Sequence, residues 1–295
     1  MVRLANLATD TSGVNITNGD QPRFYQPPTL TIHDVGANTF ILVGIASGDR
    51  STPLDVVPTV GRDGMLPTNA LTNRPDNHVY GIIDRDFIKR NLITGSPLLI
   101  SKDIKLNDLQ KNPQLQSGDI TKLFFPNTGK AGWYRSLRSD TTGVDNVNRV
   151  SGGIKAFEEE PIALKDNLFI PVYDPQGTGV EAPDSCSTRI VGESDFQQYC
   201  LPFGACLTSS GTKDTAAEAK TGFLLDEDKK NKNVIGSGIR GITLGPRNLS
   251  GNGGGGTNSC GSLTLIGNEK GSGEWSCTRV LNPVRWYEKY VKAGN

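Results

Sequence analysis

Short apolar runs bounded by Gly, Pro, Asn or Asp recur along the chain. Each run spans four to seven residues and is rich in branched and aromatic side chains, a pattern that predicts β-strands. Pro171 lies inside one run, where we expect an edge position or a bulge because proline cannot donate a ladder hydrogen bond. The predicted strands are Thr39–Val43, His78–Ile83, Asn167–Tyr173, Gly241–Leu244 and Ser262–Ile266.

Helical signals are few and short. Asn107–Lys111 begins with a residue that commonly caps helices and predicts a turn or two of helix. Ser194–Gln197 has serine at the N-cap and glutamine at N3, a capping box that predicts a short helix. Polar, charged or glycine-rich composition predicts surface loops elsewhere. The predicted loops are Thr208–Lys220, Asp226–Lys232 and Gly251–Gly256.

The composition agrees with a β-rich chain. Glycine (35) and proline (17) together make up about a sixth of the 295 residues, which suits many short strands joined by turns. The length is sufficient for one large domain or two modest ones. We therefore predict an all-β fold with long loop insertions and a few short helices.

Charge and hydropathy argue against several partners. Lysine plus arginine total 31 and aspartate plus glutamate total 31, so no single-sign field attracts nucleic acid or an anionic membrane. A run of about twenty apolar residues is lacking, and no membrane-spanning helix is expected. The first residues lack the apolar region of a secretory signal. We interpret Met1 as an internal or artificial start within a longer, exported protein.

Three motifs follow one another along the first part of the chain. The first, Ser47–Arg50, ends a predicted strand, and the second is the predicted strand that Asp84 closes. The third, Gly132–Tyr134, precedes the strand pair Glu160–Leu164 and Leu168–Pro175. In this order they resemble the C-terminal propeller of the PilC/PilY family of type IV pilus biogenesis factors and tip adhesins. The likeness covers roughly residues 1–180 well and the cysteine-bearing tail more loosely. The motif residues are Ser47, Gly48, Asp49 and Arg50, then Asp84, then Gly132, Trp133 and Tyr134.

The resemblance implies a fold and a function. Residues 1–295 would form the C-terminal portion of a partial, modified β-propeller, roughly its last three or four blades, with 177–260 as a loop-rich insertion. The implied role is non-catalytic: fimbrium biogenesis, twitching motility and cell adhesion, by supporting pilus assembly, opposing retraction and aiding surface attachment. The implied partners are minor pilins of the pilus tip complex and an unidentified host or abiotic surface receptor. The implied location is the periplasm, the outer-membrane surface and the extracellular pilus tip.

The motif residues favour structural roles. Gly48 and Asp49 at a strand end suit a turn in which the carboxylate accepts backbone N–H bonds and Arg50 pairs with it; a binding role is the alternative. Trp133 and Tyr134 suit packing between blades, because large aromatic side chains fill such cores. Stacking against a ligand is the alternative for these two rings.

The segment Gly236–Gly241 matches the glycine pattern of a dinucleotide-binding loop. Such a site needs a helix that opens at the glycines and an acidic residue about twenty positions later. Here Ile242–Leu244 continues as a predicted strand that Pro246 closes. We therefore predict no dinucleotide site.

Catalytic and metal-binding patterns are also incomplete. The two histidines, His33 and His78, lack an accompanying nucleophile elbow, and the cysteines lack the spacing of zinc ligands. The acidic stretches Asp226–Asp228 and Asp140–Asn148 lack the alternating oxygen ligands of a calcium loop, so the calcium site known for the family is expected outside this chain. We predict a non-enzyme without a cofactor. The alternatives are a quinoprotein-like propeller dehydrogenase and a carbohydrate-binding propeller.

All five cysteines follow residue 185. Cys260 and Cys277 flank Ser262–Ile266 and Glu274–Ser276, with Asn268–Gly271 as the turn midway between them. In a symmetric hairpin the two cysteines would face each other at bridging distance. Cys186, Cys200 and Cys206 cluster, which predicts one further disulfide and one remaining thiol. The alternative is five reduced, partly buried cysteines.

Overall fold

The computed structural model describes 4–16, 21–51, 77–85, 103–125, 129–137, 154–157, 160–175, 192–224, 234–239, 243–246, 263–266 and 271–275. Strands dominate these ranges, and the helical content is one turn of α-helix and three 3-10 turns, so the predicted all-β class is confirmed. No helix within the described ranges has the length and apolarity to cross a membrane.

The described elements follow in chain order. The strands are β1 (Ala5–Asn6), β2 (Thr29–Val35), β3 (Asn38–Ala46), β4 (His78–Asp84), β5 (Ile104–Lys105), β6 (Gln110–Lys111), β7 (Gly132–Ser136), β8 (Lys155–Ala156), β9 (Ile162–Leu164), β10 (Asn167–Asp174), β11 (Glu193–Cys200), β12 (Val234–Ser237), β13 (Thr243–Pro246), β14 (Leu263–Ile266) and β15 (Gly271–Trp275). The α-helix is α1 (Thr215–Glu218), and the 3-10 turns are Leu106–Asp108, Pro113–Leu115 and Ile120–Leu123.

The first large sheet has the order β2-β3-β4-β7-β6. Its first four strands run antiparallel to their neighbours, and β6 is parallel to β7. β2 and β3 form a hairpin in which Val35 pairs with Asn38 across a two-residue turn, where Gly36 has φ +60°. Burial alternates along β3, which directs Phe40, Leu42 and the following even-numbered residues to one face.

The second large sheet has the order β12-β11-β10-β8, with β9 also paired to β10. β10 is therefore an inner strand, although Pro171 lies within it. The Pro171 carbonyl, its one backbone hydrogen-bonding group, accepts from the Phe157 N–H at 3.3 Å. It therefore faces the side where β9 and β8 pair with different parts of β10. The proline occupies the break between these two short strands, and the predicted edge position is wrong.

The main core lies between these two sheets. Phe40 and Leu42 of the first sheet belong to the same buried cluster as Leu168 and Ile170 of the second. All four side chains are at most 1% exposed. Burial of this apolar surface is the main force that holds the two sheets together.

Two predictions of local structure are corrected by the ladder. Ser194–Gln197 is not a helix but the centre of β11, which pairs along eight residues with β10 and also with β12. These two ladders outweigh a four-residue capping signal. The helix predicted at Asn107–Lys111 is also wrong in its bounds, because the 3-10 turn is Leu106–Asp108 with Lys105 at the N-cap, and Gln110–Lys111 is β6, which pairs with β7.

The predicted loop Thr208–Lys220 also contains regular structure. Asp214 caps α1 through its carboxylate, which accepts the N–H groups of Ala216 and Ala217 at 3.1 Å each. The other two predicted loops, Asp226–Lys232 and Gly251–Gly256, lie outside the described residues.

A third sheet has the order β13-β14-β15 and confirms strands in the last part of the predicted pattern. β14 and β15 form the hairpin expected around residues 268–271. The register shifts by one residue between Leu263 and Leu265. Cys260, Cys277 and Cys186 lie outside the described residues, as do the acidic stretches 140–148 and 226–228.

Candidate functional site

The strand-end corner, Ser47–Ser51, follows β3 and joins three strands. The Ser47 N–H donates to the His78 carbonyl at 2.9 Å, and the His78 N–H donates to Ser47 Oγ at 2.9 Å. On the other side, the Ala156 N–H of β8 donates to the Ser47 carbonyl at 3.1 Å. The corner therefore connects the first sheet to the second through backbone hydrogen bonds.

Gly48 allows the close approach at this corner. Its N–H donates to the Arg23 carbonyl at 2.9 Å. A Cβ at Gly48 would lie 2.1 Å from the Ala156 carbonyl oxygen, well inside van der Waals contact. Glycine is required here by the distance between two backbones, not by its own φ angle.

We expect Gly48→Ala to lower the free energy of unfolding by about 3 kcal/mol, because two backbone segments must separate to admit the methyl group. Urea denaturation followed by circular dichroism measures this loss. Gly118→Ala is the control, since nothing lies within 4 Å of that Cβ and only the positive φ of +78° is unfavourable. Its expected cost is about 1 kcal/mol. Equal losses in the two variants would contradict the close contact.

Asp49, which is buried at 8% exposure, organises the turn of the corner. Its carboxylate accepts the Ser51 N–H at 2.9 Å and the Ser51 hydroxyl at 2.6 Å, as the turn prediction required. Arg23 forms an ion pair with it at 2.9 Å, and the Tyr25 hydroxyl lies at 3.4 Å. The Arg50 guanidinium lies 5.9 Å from the Tyr25 ring centroid, a cation–π distance. Sequence reasoning missed Arg23 and Tyr25, because no local pattern links them to a corner more than twenty residues later.

The tryptophan pocket surrounds Trp133, which is fully buried on β7. Its indole N–H donates to the Pro202 carbonyl at 2.7 Å. A Cβ at Gly81 would lie 2.4 Å from the indole, and one at Gly204 would lie 2.3 Å from it. The ring is held between two glycine backbones and belongs to the buried cluster between the two sheets. Tyr134 is 5% exposed and packs on the opposite face of the sheet with Tyr80.

The buried ion pair lies next to the tryptophan pocket. Arg135 is fully buried, and its Nη1 donates to Glu218 Oε1 at 2.7 Å and to the Gly204 carbonyl at 2.9 Å. Its Nη2 donates to the Thr221 hydroxyl at 3.1 Å, and its guanidinium lies 4.9 Å from the Tyr199 ring centroid. Glu218 therefore ties α1 to β7. This is a structural cluster, because each contact joins two segments of the chain.

A disulfide closes the loop that supplies these carbonyl groups. Cys200 and Cys206 are bonded, with their Cα atoms 5.0 Å apart and a sequence separation of six. The prediction of a second disulfide among Cys186, Cys200 and Cys206 is confirmed for this pair. The Cys206 N–H also donates to Glu218 Oε2 at 2.8 Å, so the bridge and the buried ion pair support each other.

His33 lies where the first sheet meets the turn between β9 and β10. Its Nε2 is 2.8 Å from the Thr31 hydroxyl, and its ring stacks on Phe40 with centroids 5.8 Å apart. Burial lowers the pKa of His33 from its ordinary value, and the charges of Asp166 and Asp34 oppose this shift.

We expect the stability of the protein to fall as the pH falls through the ordinary histidine range, about 6.5 and below. The depressed pKa means that the unfolded chain binds the His33 proton first, so stability is greater above this range. His33→Gln should flatten the dependence of the urea midpoint on pH between 7 and 5 relative to the parent. If the urea midpoint of His33→Gln depends on pH as steeply as that of the parent, groups other than His33 cause the pH dependence.

The eight motif residues do not converge on one pocket. Ser47 to Arg50 follow one end of β3, whereas Asp84 lies at the opposite end of β4, paired with Ile41. Gly132 and Trp133 lie between these ends, where Gly81 pairs with Trp133. The described residues contain no group of three or more His, Cys, Asp or Glu side chains that could hold a metal ion. Gly236 and Ser237 lie in β12 and open no helix.

Comparison with known proteins found no matching family model, curated protein or solved structure.

Proposed function

We propose that this chain is a non-catalytic, propeller-like module of a type IV pilus biogenesis factor and tip adhesin, and that it binds minor pilins. The observation that carries the proposal is the strand-end corner. Ser47 and Gly48, two of the residues that resemble the PilC/PilY motif, join one sheet directly to the next through β8. A propeller places successive sheets next to one another, so a motif that joins one sheet to the next fits a position between two blades.

The strand order supports the same proposal. β2, β3, β4 and β7 lie side by side and antiparallel, with the short parallel strand β6 beyond β7, and β10, β11 and β12 form a second antiparallel set. The two sheets bury apolar faces against each other, as neighbouring blades do. Serial sheets of this type fit the proposed last blades of a propeller within an exported, pilus-associated protein.

The buried polar groups support a scaffold role. Asp49 is engaged with Arg23 and Ser51, and Arg135 with Glu218, so these charged groups stabilise contacts between segments. In such a scaffold, binding is expected from the loops and outer surfaces, which vary independently of the core.

The test is direct binding of the whole chain to a purified minor-pilin complex, measured by surface plasmon resonance. Saturable binding to minor pilins, with none to the major pilin, is the expected result. Failure to bind any minor pilin, alone or in combination, would overturn the proposal. Binding to a glycan array would instead favour the carbohydrate-binding alternative.

A further inference from the structure

Within the described part of the chain, β2 is an edge strand with an open hydrogen-bonding side. It pairs only with β3 among the described strands. Because a two-residue turn joins them, Val35 and Asn38 form a hydrogen-bonded pair, and the pattern alternates from there. The backbone N–H and C=O groups of Leu30, Ile32 and Asp34 therefore point away from β3.

The side chains at the same positions are unusually apolar for an edge. Leu30 is 64% exposed and Ile32 is 63% exposed. Beside them on the same face, Val43 and Ile41 of β3 are half-buried. Edge strands are ordinarily protected by charge, proline or a covering segment. In β2, Asp34 is the one carboxylate, and it bonds the Thr39 hydroxyl at 2.5 Å.

We infer that β2 pairs antiparallel with β2 of a second copy of this chain, which makes a symmetric dimer with a continuous sheet. An open row of alternating donors and acceptors is satisfied by an extended backbone, so the occupant is a strand. A two-fold axis requires that the strand be complementary to itself.

One register meets this requirement. With the axis at Thr31, Leu30 lies opposite the second copy's Ile32, and both belong to the set whose backbone groups point outward. Thr31 then lies opposite its own counterpart, a favourable cross-strand pair. Asp34 falls opposite Pro28, beyond the apolar pairs, and no two like charges are opposed.

The neighbouring register is less favourable. An axis at Ile32 would place Leu30 opposite the carboxylate of Asp34 at both ends of the ladder. Apolar burial and carboxylate solvation would then compete at the same positions. The register centred on Thr31 avoids this conflict.

The first test is the oligomeric state of the whole chain by sedimentation velocity over a range of concentrations. A dimer whose fraction rises with concentration is expected, and Ile32→Lys should reduce that fraction at least tenfold, because an edge lysine opposes strand addition. Val14→Lys is the matched control, at a side chain 62% exposed on another segment. A monomer at every concentration, or a dimer that Ile32→Lys leaves intact, would overturn the inference.

The second test fixes the register and does not depend on the lysine variant. In the Thr31→Cys variant two thiols would face each other across the axis at a distance that permits a disulfide. Mild oxidation should therefore give a covalent dimer well above the parent level. Thr39→Cys on β3 should not, since it lies away from the axis. Equal cross-linking of both variants would contradict this register.

The inference does not depend on the proposed pilus role. A monomeric Ile32→Lys variant that still binds minor pilins would leave both proposals standing. Loss of minor-pilin binding by the parent chain would affect the proposed function alone.

Discussion

Trp133→Ala should lower the free energy of unfolding by about 3–5 kcal/mol. The side chain is fully buried, and the backbones of Gly81 and Gly204 lie so close to it that neither position has room for a side chain. Truncation therefore leaves a cavity that the surrounding glycines cannot fill. It also removes the indole N–H from the Pro202 carbonyl.

Urea denaturation of the parent and variant chains measures this effect. Trp133→Phe should lie between them, since it restores most of the apolar contact but not the hydrogen bond to Pro202. Tyr25→Ala is the aromatic control, because Tyr25 is 46% exposed, and its expected cost is within about 1 kcal/mol. If Trp133→Ala costs no more than Tyr25→Ala, the tryptophan does not hold the pocket together.

The long apolar strands were predictable because their pattern is local. Runs at Thr39–Val43, His78–Ile83 and Asn167–Tyr173 lie inside β3, β4 and β10. In each, branched or aromatic residues follow one another over enough positions to exceed the turn signals around them. These runs supply part of the core between the two sheets, including Phe40, Val79 and Leu168.

The signals that failed were short or depended on distant partners. The capping box at Ser194–Gln197 involves four residues, whereas the ladder between β10 and β11 involves eight residue pairs. The edge position predicted for Pro171 is wrong because an inner strand can have a local break where two short strands meet on one side. Neither circumstance is visible in a window of neighbouring residues.

The candidate site was predictable only where its contacts are local in the sequence. The turn role of Asp49 follows from its own sequence neighbours, and Ser51 confirms it. The partner Arg23 lies in a separate segment without a motif. For the buried ion pair, Glu218 is 83 residues away from Arg135, and nothing in the sequence near either residue connects them.

Arg135→Ala is expected to cost about 3–5 kcal/mol, because breaking a buried ion pair leaves its partner carboxylate without compensation. The side chain of Arg135 is fully buried, and that of Glu218 is 12% exposed. The arginine also donates to the Gly204 carbonyl and the Thr221 hydroxyl, so these acceptors lose their donors as well. Urea denaturation measures the loss, with Lys122→Ala as the control, since its ion pair with Asp119 is 3.6 Å long and its side chain is 79% exposed. That surface pair should contribute less than about 1 kcal/mol.

The double variant Arg135→Met, Glu218→Gln separates the two causes of this loss. If the uncompensated carboxylate is the main cost, removing its charge together with the arginine should recover part of the stability, and the double variant should unfold at higher urea than Arg135→Met alone. In the parent the Cys206 N–H donates to Glu218 Oε2 and the Thr221 hydroxyl donates to Oε1, so the single amide oxygen of glutamine can keep one of these two hydrogen bonds. The recovery is therefore expected to be partial. Purely additive losses would instead show that the arginine acts through packing against Tyr199 and the Gly204 carbonyl. Coupling between the two positions therefore measures how far this ion pair, which joins β7 to α1 beside the disulfide, stabilises the fold through its charge.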